Sequence, residues 1–365
     1  MKLTKLDIVN FRNYSKLSLD FSDNINIFIG NNGEGKTNIL ESIYVLAITK
    51  SHRAYLDKSL IKAGCDFSKI TGIVEKNSKI HKYDLIISQK GKRVSIDDIN
   101  EKKISNYISK FKAILFCPDD LELIKGSPAE RRKFLNIEIG QLDNNYIKIL
   151  NEYNLLLKNR NEYLKKINID SYNKEYLDIL NAQIVDKALI IYKYRFEFLR
   201  NIERNLKEIY DNMFKKNMEI KYINSVDLTY FDVENIRNLL LNKLSNNLKK
   251  EIFLGSTQYG PHKDDFEVYF DSKNLKEYGS QGQQRLSILC IKISELDIFM
   301  KKTNEYPVLL LDDVFSELDI ESRNRVLSII NKDVQVFITS TDIKYISSNI
   351  IKNSKIFKIE NCKVS

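Results

Sequence analysis

The sequence predicts an α/β fold in which a mixed sheet with flanking helices is assembled from both ends of the chain. A mainly α-helical lobe is inserted between the two parts. Three observations support this. A strand, a glycine-rich loop and a helix are indicated around residues 25–48, and an apolar strand that ends in two carboxylates lies at residues 308–313. Between them, apolar residues recur at helical spacing from about residue 128 to residue 215.

The glycine-rich loop fits the phosphate-loop pattern, in which two glycines five residues apart precede a lysine and a hydroxyl residue. Its residues are Gly30, Asn31, Asn32, Gly33, Glu34, Gly35, Lys36 and Thr37. The glycines let successive backbone N–H groups point at phosphate oxygens, and the helix that follows adds the positive end of its dipole. We expect Lys36 to reach the outer phosphates of ATP and the Thr37 hydroxyl to bind Mg²⁺.

The length of 365 residues is large for one hydrophobic core, so two lobes are expected. We place the first lobe at residues 1–125 and 250–365, and the inserted lobe at residues 126–249. Two long helices joined near residues 168–173 are the simplest account of the inserted pattern. At about 1.5 Å per residue, an arm of roughly 40 residues spans at most about 60 Å. This is short beside the coiled coils of related ATPases.

The composition indicates what kind of partner the protein binds and which cellular compartment it occupies. Lysine and arginine outnumber aspartate and glutamate by 58 to 49, a net charge of +9, which favours a polyanionic partner without identifying one. The four cysteines form no CxxC pair, which indicates a reducing compartment and no zinc site. No apolar stretch approaches the length of a membrane span, and no signal core is present at the amino end. We expect a cytoplasmic protein with no membrane partner.

Two groups of cations are candidates for contact with a polyanion. The first group lies in a basic hairpin turn and comprises Lys90, Lys92 and Arg93. The second lies near a helix start and comprises Arg131, Arg132 and Lys133. Ordinary solvated charge is the commoner explanation for such groups, and both interpretations stay open.

Two motifs in the last third supply further chemistry. Ser280, Gly282 and Gln283 open a helix, where unpaired N–H groups make a second anion site. The apolar strand then ends in Asp312 and Asp313. In phosphate-loop ATPases the first such carboxylate belongs to the Mg²⁺ sphere, and the second can orient or deprotonate the attacking water. This order of motifs predicts an ABC-type P-loop ATPase head that dimerises around two ATP molecules.

Taken together, these motifs resemble the RecF family of bacterial recombination-mediator ATPases, and the resemblance runs nearly end to end. The stretches that carry it are residues 11–14, 30–38, 50–53, 118–128, 131–135, 260–265, 278–285 and 309–319. The phosphate loop alone is shared by many families, whereas the whole set is specific.

The resemblance implies a nucleoid-associated, DNA-binding and weakly hydrolysing ATPase that forms an ATP-dependent homodimer. It would act with RecR and RecO on double-stranded and gapped DNA to help load the strand-exchange recombinase. The roles that it implies are nucleotide binding for Arg12, Lys36, Thr37 and Asn38, the Mg²⁺ sphere for Asp312, the base-like carboxylate for Asp313, a signature facing the second subunit for Ser280, Gly282 and Gln283, and a dimer contact for Asp319.

Three departures from the wider ABC pattern predict slow turnover. Residues 117–119, Cys-Pro-Asp, stand where a glutamine between the lobes is usual. Thr341 or its neighbour Ser340 replaces the switch histidine. Asp313 stands where a glutamate is usual, and its side chain is one carbon shorter.

Two other classes of protein share such a head. The ATPase subunit of a transporter is disfavoured by the basic charge and by an inserted lobe far larger than a membrane-coupling lobe needs. A structural chromosome-organising head is disfavoured by the short arm.

Overall fold

The computed structural model of the chain describes residues 1–214, 217–314, 325, 328–345 and 348–365. It divides into two compact units. The head unit comprises residues 1–121 and 281–365, and the inserted unit comprises residues 122–280. In the part of the chain that is described, no helix is both long enough and apolar enough to cross a membrane.

The described strands and helices are numbered here in chain order. The strands are β1 Lys2–Phe11, β2 Tyr14–Asp20, β3 Ile25–Ile29, β4 Phe67–Lys76, β5 Lys79–Ser88, β6 Gly91–Ile96, β7 Ile99–Asn100, β8 Ala113–Phe116, β9 Met218–Ile223, β10 Asp265–Phe270, β11 Lys273–Asn274, β12 Val308–Leu311, β13 Val336–Ser340, β14 Ser354–Glu360 and β15 Lys363–Val364. The helices are α1 Lys36–Ile48, α2 Ile104–Tyr107, α3 Glu122–Lys125, α4 Pro128–Leu142, α5 Asn144–Leu164, α6 Lys174–Phe214, α7 Val233–Asn246, α8 Leu248–Leu254, α9 Leu275–Tyr278, α10 Gln281–Thr303 and α11 Ser348–Lys352.

The first sheet of the head unit is antiparallel, with strand order β2-β1-β4-β5-β6-β7. Its strands alternate between buried and more exposed residues, as expected when one face of a sheet is covered. In β4, for example, Ile70 and Val74 are fully buried while Lys69 and Glu75 lie on the other face. The alternating segments of the sequence therefore form one half-buried sheet.

The second sheet of the head unit has strand order β15-β14-β3-β13-β12-β8. The five strands β14, β3, β13, β12 and β8 are parallel, and β15 pairs antiparallel with β14. All residues of β12 and β8 are buried, as is usual for strands covered on both faces. Because parallel strands end at the same edge, the loops after β3, β12, β13 and β8 meet there.

Helix α1 packs against strands of both sheets of the head unit. Ile39, Ile43 and Leu46 recur at helical spacing and are fully buried, as are residues on its other faces. A helix that is apolar nearly all round belongs in a core. The two sheets thus hold the residue at its start, Lys36, in a fixed position.

The inserted unit consists of helices and a three-stranded antiparallel sheet with order β11-β10-β9. The predicted first long helix is two helices, α4 and α5. Asp143 separates them because its backbone is extended, with φ −148° and ψ 112°. Its carboxylate oxygen Oδ1 accepts from the Asn145 amide at 2.9 Å and so caps α5. The predicted second helix is α6, of 41 residues.

The boundaries of the inserted unit differ from the predicted residues 126–249, because residues 122–125 and 250–280 also belong to it. Strand β10 pairs along its length with β9, with Phe266 opposite Tyr222 and Val268 opposite Ile220. This pairing ties residues 265–270 to the inserted unit. The returning chain therefore enters the head unit at α10.

Candidate nucleotide site

The phosphate loop joins β3 to α1 and has the backbone that its glycines permit. Gly33 has φ +87° and Gly35 has φ +105°, in the left-handed region that other residues rarely adopt. A Cβ atom at Gly35 would lie 2.6 Å from the Tyr14 hydroxyl oxygen. Gly35 is also the N-cap of α1, which has no side-chain cap. The first N–H groups of α1 are therefore placed for an anion.

Lys36 lies over this loop. Its Nζ donates to the Gly30 carbonyl oxygen at 2.7 Å and to the Asn31 carbonyl oxygen at 2.8 Å. Burial lowers the pKa of Lys36, while the negative charges of Asp313, Asp312 and Glu34 oppose this shift. The ammonium thus lies among carbonyl and carboxylate oxygens at the edge where a phosphate would enter.

Asp312 follows β12 and meets the helix start from the other end of the chain. The Thr37 hydroxyl Oγ1 donates to Asp312 Oδ1 at 2.9 Å, and the Thr339 hydroxyl donates to the same oxygen at 2.7 Å. Burial raises the pKa of Asp312, and these two hydrogen bonds oppose the rise. A hydroxyl beside a carboxylate fits Mg²⁺, which takes one or two carboxylates together with substrate phosphates. The two residues predicted to hold the metal are therefore adjacent.

Asp313 has the left-handed backbone conformation, with φ 49°. Aspartate and asparagine adopt this region several-fold more often than most residues. The Asp313 amide donates to the Thr339 hydroxyl oxygen at 2.9 Å. This conformation gives a physical reason why aspartate suits a position where the wider ABC pattern leads one to expect glutamate.

Thr339 was not among the predicted site residues. It is fully buried in β13, and its hydroxyl contacts both Asp312 and Asp313. The signal in the sequence was a hydroxyl residue directly after three apolar residues of a buried strand, at residues 336–338.

Ser340, one of the two predicted switch residues, is buried and donates to the Asp342 carbonyl oxygen at 2.9 Å. Thr341, the other, follows the strand and is half-buried, and the choice between them stays a prediction.

A small pocket lies beside the two carboxylates. It is lined by Phe116, Cys117, Pro118, Leu121, Arg285, Asp312, Asp313 and Val314. Cys117 and Pro118 follow β8 and belong to the segment that the sequence offers in place of the usual glutamine. Because β8 pairs with β12 in parallel, this segment ends beside the carboxylates.

Arg12 is held inside the head unit. Its Nε donates to Glu41 Oε2 at 2.9 Å, and its terminal nitrogens donate to Glu41 Oε1 at 2.6 Å and to the Ser59 carbonyl oxygen at 3.0 Å. Although burial opposes it, the hydrogen bonds from Arg12 and Ser51 hold the pKa of Glu41 below its ordinary value. Since all three guanidinium nitrogens are engaged, Arg12 anchors the first sheet to α1, and its role toward nucleotide stays a prediction.

The predicted signature residues lie where the chain passes from the inserted unit to the head unit. Ser280 is exposed at the end of the inserted unit. Gly282 and Gln283 lie in the first turn of α10, and Gly282 is also exposed. The predicted dimer contact Asp319 lies outside the described residues.

The cations of the basic hairpin have different environments. Lys90 and Arg93 are exposed. Lys92 instead donates to the Thr49 carbonyl oxygen and pairs with Asp57 at 2.6 Å, and its side chain is only 7% exposed. Its ammonium ties the end of α1 to the loop that follows, which does not favour a contact with DNA, and the role of Lys92 toward DNA stays a prediction.

The second group of cations divides in the same way. Arg131 is buried, and two of its nitrogens donate to the carboxylate of Asp265 at 2.5 and 2.9 Å. This pairing within the inserted unit does not favour a contact of Arg131 with DNA, and its role toward DNA stays a prediction. Arg132 donates to the Asp264 carbonyl oxygen at 2.8 Å. Lys133 is exposed and lies 3.5 Å from Glu130.

The chain is similar in sequence to known proteins. Residues 2–365 match the family described as the RecF/RecN/SMC N terminal domain. The DNA replication and repair protein RecF of Enterococcus faecalis is 41% identical over 369 residues, covering 100% of this chain and 98% of the relative. The protein of the same name from Bacillus cereus is 38% identical over 365 residues, covering 99% of this chain and 97% of the relative.

Solved structures give the same result at the level of the fold. A structure described as the recombination mediator protein RecF with ATP in the RecFOR pathway has a TM-score of 0.90 and 32% sequence identity, covering 100% of this chain and 97% of that chain. An Smc head domain from Pyrococcus furiosus has a TM-score of 0.56 at 17% identity, covering 100% of this chain and 95% of that chain. The second likeness concerns the fold alone.

Proposed function

The chain belongs to the RecF family, and from this premise we propose that it is an ATP-dependent DNA-binding protein of recombinational repair and replication-fork maintenance. ATP binding drives dimerisation, and slow hydrolysis ends the dimeric state. Relatives are named DNA replication and repair proteins, and a similar solved structure is described as RecF with ATP. These names support the proposal.

The observation that carries the proposal is the contact between Thr37 and Asp312, which are 275 residues apart in the chain and 2.9 Å apart at their oxygen atoms. Together with the ammonium of Lys36 and the uncapped start of α1, it supplies a place for phosphates and Mg²⁺. Bound Mg²⁺ would neutralise the charge that develops on the β- and γ-phosphates.

The residues of this chain then have distinct tasks. Lys36 exchanges its carbonyl partners for phosphate oxygens, and the loop amides bind the same group. Asp312 and Thr37 would hold the Mg²⁺ ion that neutralises phosphate charge. Asp313 orients the attacking water and accepts its proton, with a shorter reach than glutamate has. The protein is accordingly a slow ATPase that works as a switch.

Dimerisation follows from the position of the signature. The exposed Ser280 and Gly282, with Gln283, present a helix start to the nucleotide of a second copy, and Asp319 contacts that copy. The dimer thereby encloses two ATP molecules. Because each ATP molecule would lie between the two copies, dimerisation depends on ATP.

DNA is bound through phosphate contacts from exposed cations, namely Lys90, Arg93 and Lys133, with a weaker contribution from Arg132. Double-stranded and gapped DNA are the proposed nucleic-acid partners. RecR is the direct protein partner and RecO acts with it, in keeping with the RecFOR pathway named for the similar structure.

Equilibrium binding of a fluorescent ATP analogue tests the proposal. Lys36→Ala should lose nucleotide binding, because its ammonium is the buried cation that contacts the loop carbonyls. Lys62→Ala is a matched control, since Lys62 also donates to a backbone carbonyl oxygen, that of Asn13 at 3.1 Å. Unchanged affinity in Lys36→Ala would overturn the nucleotide site, and wild-type affinity is expected of the control.

A further inference from the structure

Thr339 provides one hydroxyl group that contacts both carboxylate residues of the site. Its Oγ1 donates to Asp312 Oδ1 at 2.7 Å and accepts from the Asp313 amide at 2.9 Å. The direction of both bonds is fixed, because an amide only donates and an ionised carboxylate only accepts. The hydroxyl therefore donates its single proton to the Asp312 carboxylate and accepts the Asp313 amide proton with a lone pair.

The position of Thr339 makes this contact rigid. Thr339 is fully buried within β13, and β13 is hydrogen-bonded to β12 on one side and to β3 on the other. A β-branched side chain has few accessible rotamers, so its hydroxyl cannot move far. The strand thus holds a fixed donor and acceptor beside the end of β12.

The two contacts restrain different parts of the site. At Asp312 the hydroxyl fixes the orientation of the side chain, whose Oδ1 also accepts from Thr37. At Asp313 it fixes the backbone, which has the left-handed φ of 49°. Such a conformation persists only where its surroundings hold it. The Thr339 hydroxyl therefore links two features of the site. These are the orientation of the Asp312 carboxylate and the backbone conformation of Asp313.

We infer that Thr339 is a positioning residue for nucleotide-bound Mg²⁺ and for the hydrolytic step, acting through Asp312 and Asp313. The inference rests on the proposed ATP-binding function and adds a residue to it. Partners of this kind, which orient a metal ligand without touching the metal, typically contribute 10-fold to 100-fold to metal affinity or activity.

Two substitutions separate the hydroxyl from the shape of the side chain. Thr339→Val keeps the branched shape and removes the hydroxyl, whereas Thr339→Ser keeps the hydroxyl. Thr71→Val is a matched control, because the Thr71 hydroxyl donates to the buried carboxylate of Asp84 in the antiparallel sheet of the same unit. All variants are first compared by thermal unfolding without nucleotide.

The decisive measurement is the Mg²⁺ concentration that gives half-maximal binding of a fluorescent ATP analogue to the full chain. Thr339→Val should need about 10-fold more Mg²⁺, or more, while its affinity for the analogue in EDTA stays at the wild-type value. Its kcat should fall more than its KM rises at saturating Mg²⁺. Thr339→Ser should have the Mg²⁺ requirement of the wild type, and so should the control Thr71→Val.

The outcomes are distinguishable. A wild-type protein that binds no nucleotide would overturn the proposed function itself. A wild-type protein that binds, together with a Thr339→Val variant of unchanged Mg²⁺ requirement, would overturn the role of Thr339 alone. If Thr339→Val does not fold, Thr339→Ser decides the matter, because a raised Mg²⁺ requirement despite the retained hydroxyl would also overturn it.

Discussion

The adjacent residues Asp312 and Asp313 differ in their surroundings. Asp312 is buried and accepts from two threonine hydroxyls, which compensate for its loss of solvent. Asp313 is half-buried and contacts Thr339 through its backbone amide. A change of charge at the first residue therefore disturbs a hydrogen-bonded cluster, whereas the same change at the second leaves that cluster in place.

The first prediction compares the two carboxylates. Asp313→Asn keeps a side chain that tolerates the left-handed backbone but removes the charge that accepts a proton. It should bind ATP normally, hydrolyse it roughly 10²–10⁴-fold more slowly and prolong the dimer. Asp312→Asn should instead need more Mg²⁺ for nucleotide binding and dimerise poorly. Dimer lifetime after an ATP chase, at several Mg²⁺ concentrations, tells the two apart.

A wild-type rate in Asp313→Asn would assign the base to another residue. From the sequence, Asp265 and Glu317 are the next candidates. The carboxylate of Asp265 is engaged by Arg131 in the inserted unit, and Glu317 lies outside the described residues. Glu317 would then be replaced first.

His262 gives a pH-dependent prediction within the inserted unit. Its Nε2 donates to the Thr257 carbonyl oxygen at 3.0 Å, so its Nδ1 accepts from the Tyr153 hydroxyl at 2.6 Å. Burial lowers the pKa of His262 from 6.5 to about 4, and the charges of Lys263 and Arg132 act in the same direction. The folded chain therefore holds a neutral imidazole that the unfolded chain protonates below pH 6.5.

The free energy of unfolding should consequently be unaffected by His262 above pH 6.5 and should fall as the pH drops from 6.5 toward 4. The loss from this group amounts to about 3 kcal/mol at most. His262→Gln should be less stable at pH 7.5 but should lose less stability on acidification. Urea unfolding at pH 7.5, 6 and 5 checks this, and equal pH slopes in the two proteins would contradict it.

At the scale of secondary-structure elements, the hairpin of β5 and β6 and the start of α4 each carry cations with opposite tasks. Lys92 and Arg131 hold elements together through ion pairs in which the cation is buried; the partner of Arg131 is largely buried, whereas Asp57, the partner of Lys92, is 50% exposed. Their neighbours Lys90, Arg93 and Lys133 are exposed. Breaking a buried pair leaves an uncompensated charge and is strongly destabilising. Exposed lysines and arginines are the ones that can release counterions from DNA.

The second group of variants follows from this division. Replacing Lys90, Arg93 and Lys133 together by glutamine should weaken duplex binding and reduce the slope of log affinity against log salt by about 0.9 for each phosphate that is no longer neutralised. Lys92→Gln and Arg131→Gln are the controls, which should lower the unfolding temperature instead. If the triple variant keeps both affinity and slope, the DNA surface lies elsewhere in the chain.

At the scale of the whole molecule, dimerisation gives a further prediction. Ser280→Arg places a bulky cation at the exposed helix start, so each copy should still bind ATP while the ATP-dependent dimer fails. Light scattering with ATP and Mg²⁺ measures this. Ser245→Arg, at another exposed serine of the inserted unit, should dimerise as the wild type does. A normal dimer in Ser280→Arg would show that this helix start does not face a second copy.

Much of the head unit was predictable because its signals are local. The phosphate loop needs glycines at fixed spacing, and an all-apolar strand such as β12 indicates a buried parallel sheet. The end of the inserted unit was not predictable, because β10 pairs not only with the adjacent β11 but also with β9, from which α7 and α8 separate it along the chain. The pairing of Arg131 with Asp265 spans 134 residues, so its sequence neighbourhood resembles that of an exposed cation.

The place of β3 in its sheet has a consequence for the order in which the chain becomes structured during synthesis. Both neighbours of β3, β13 and β14, come from residues after 335, so the phosphate loop lacks its supporting strands until residues 336–360 have been made. The inserted unit is one continuous stretch, complete once residue 280 has been made. Since domains generally fold as units and long-range strand pairing is slow, we expect the inserted unit to fold before the second sheet of the head unit is assembled. A newly made chain can thus fold its inserted unit before it can hold a nucleotide.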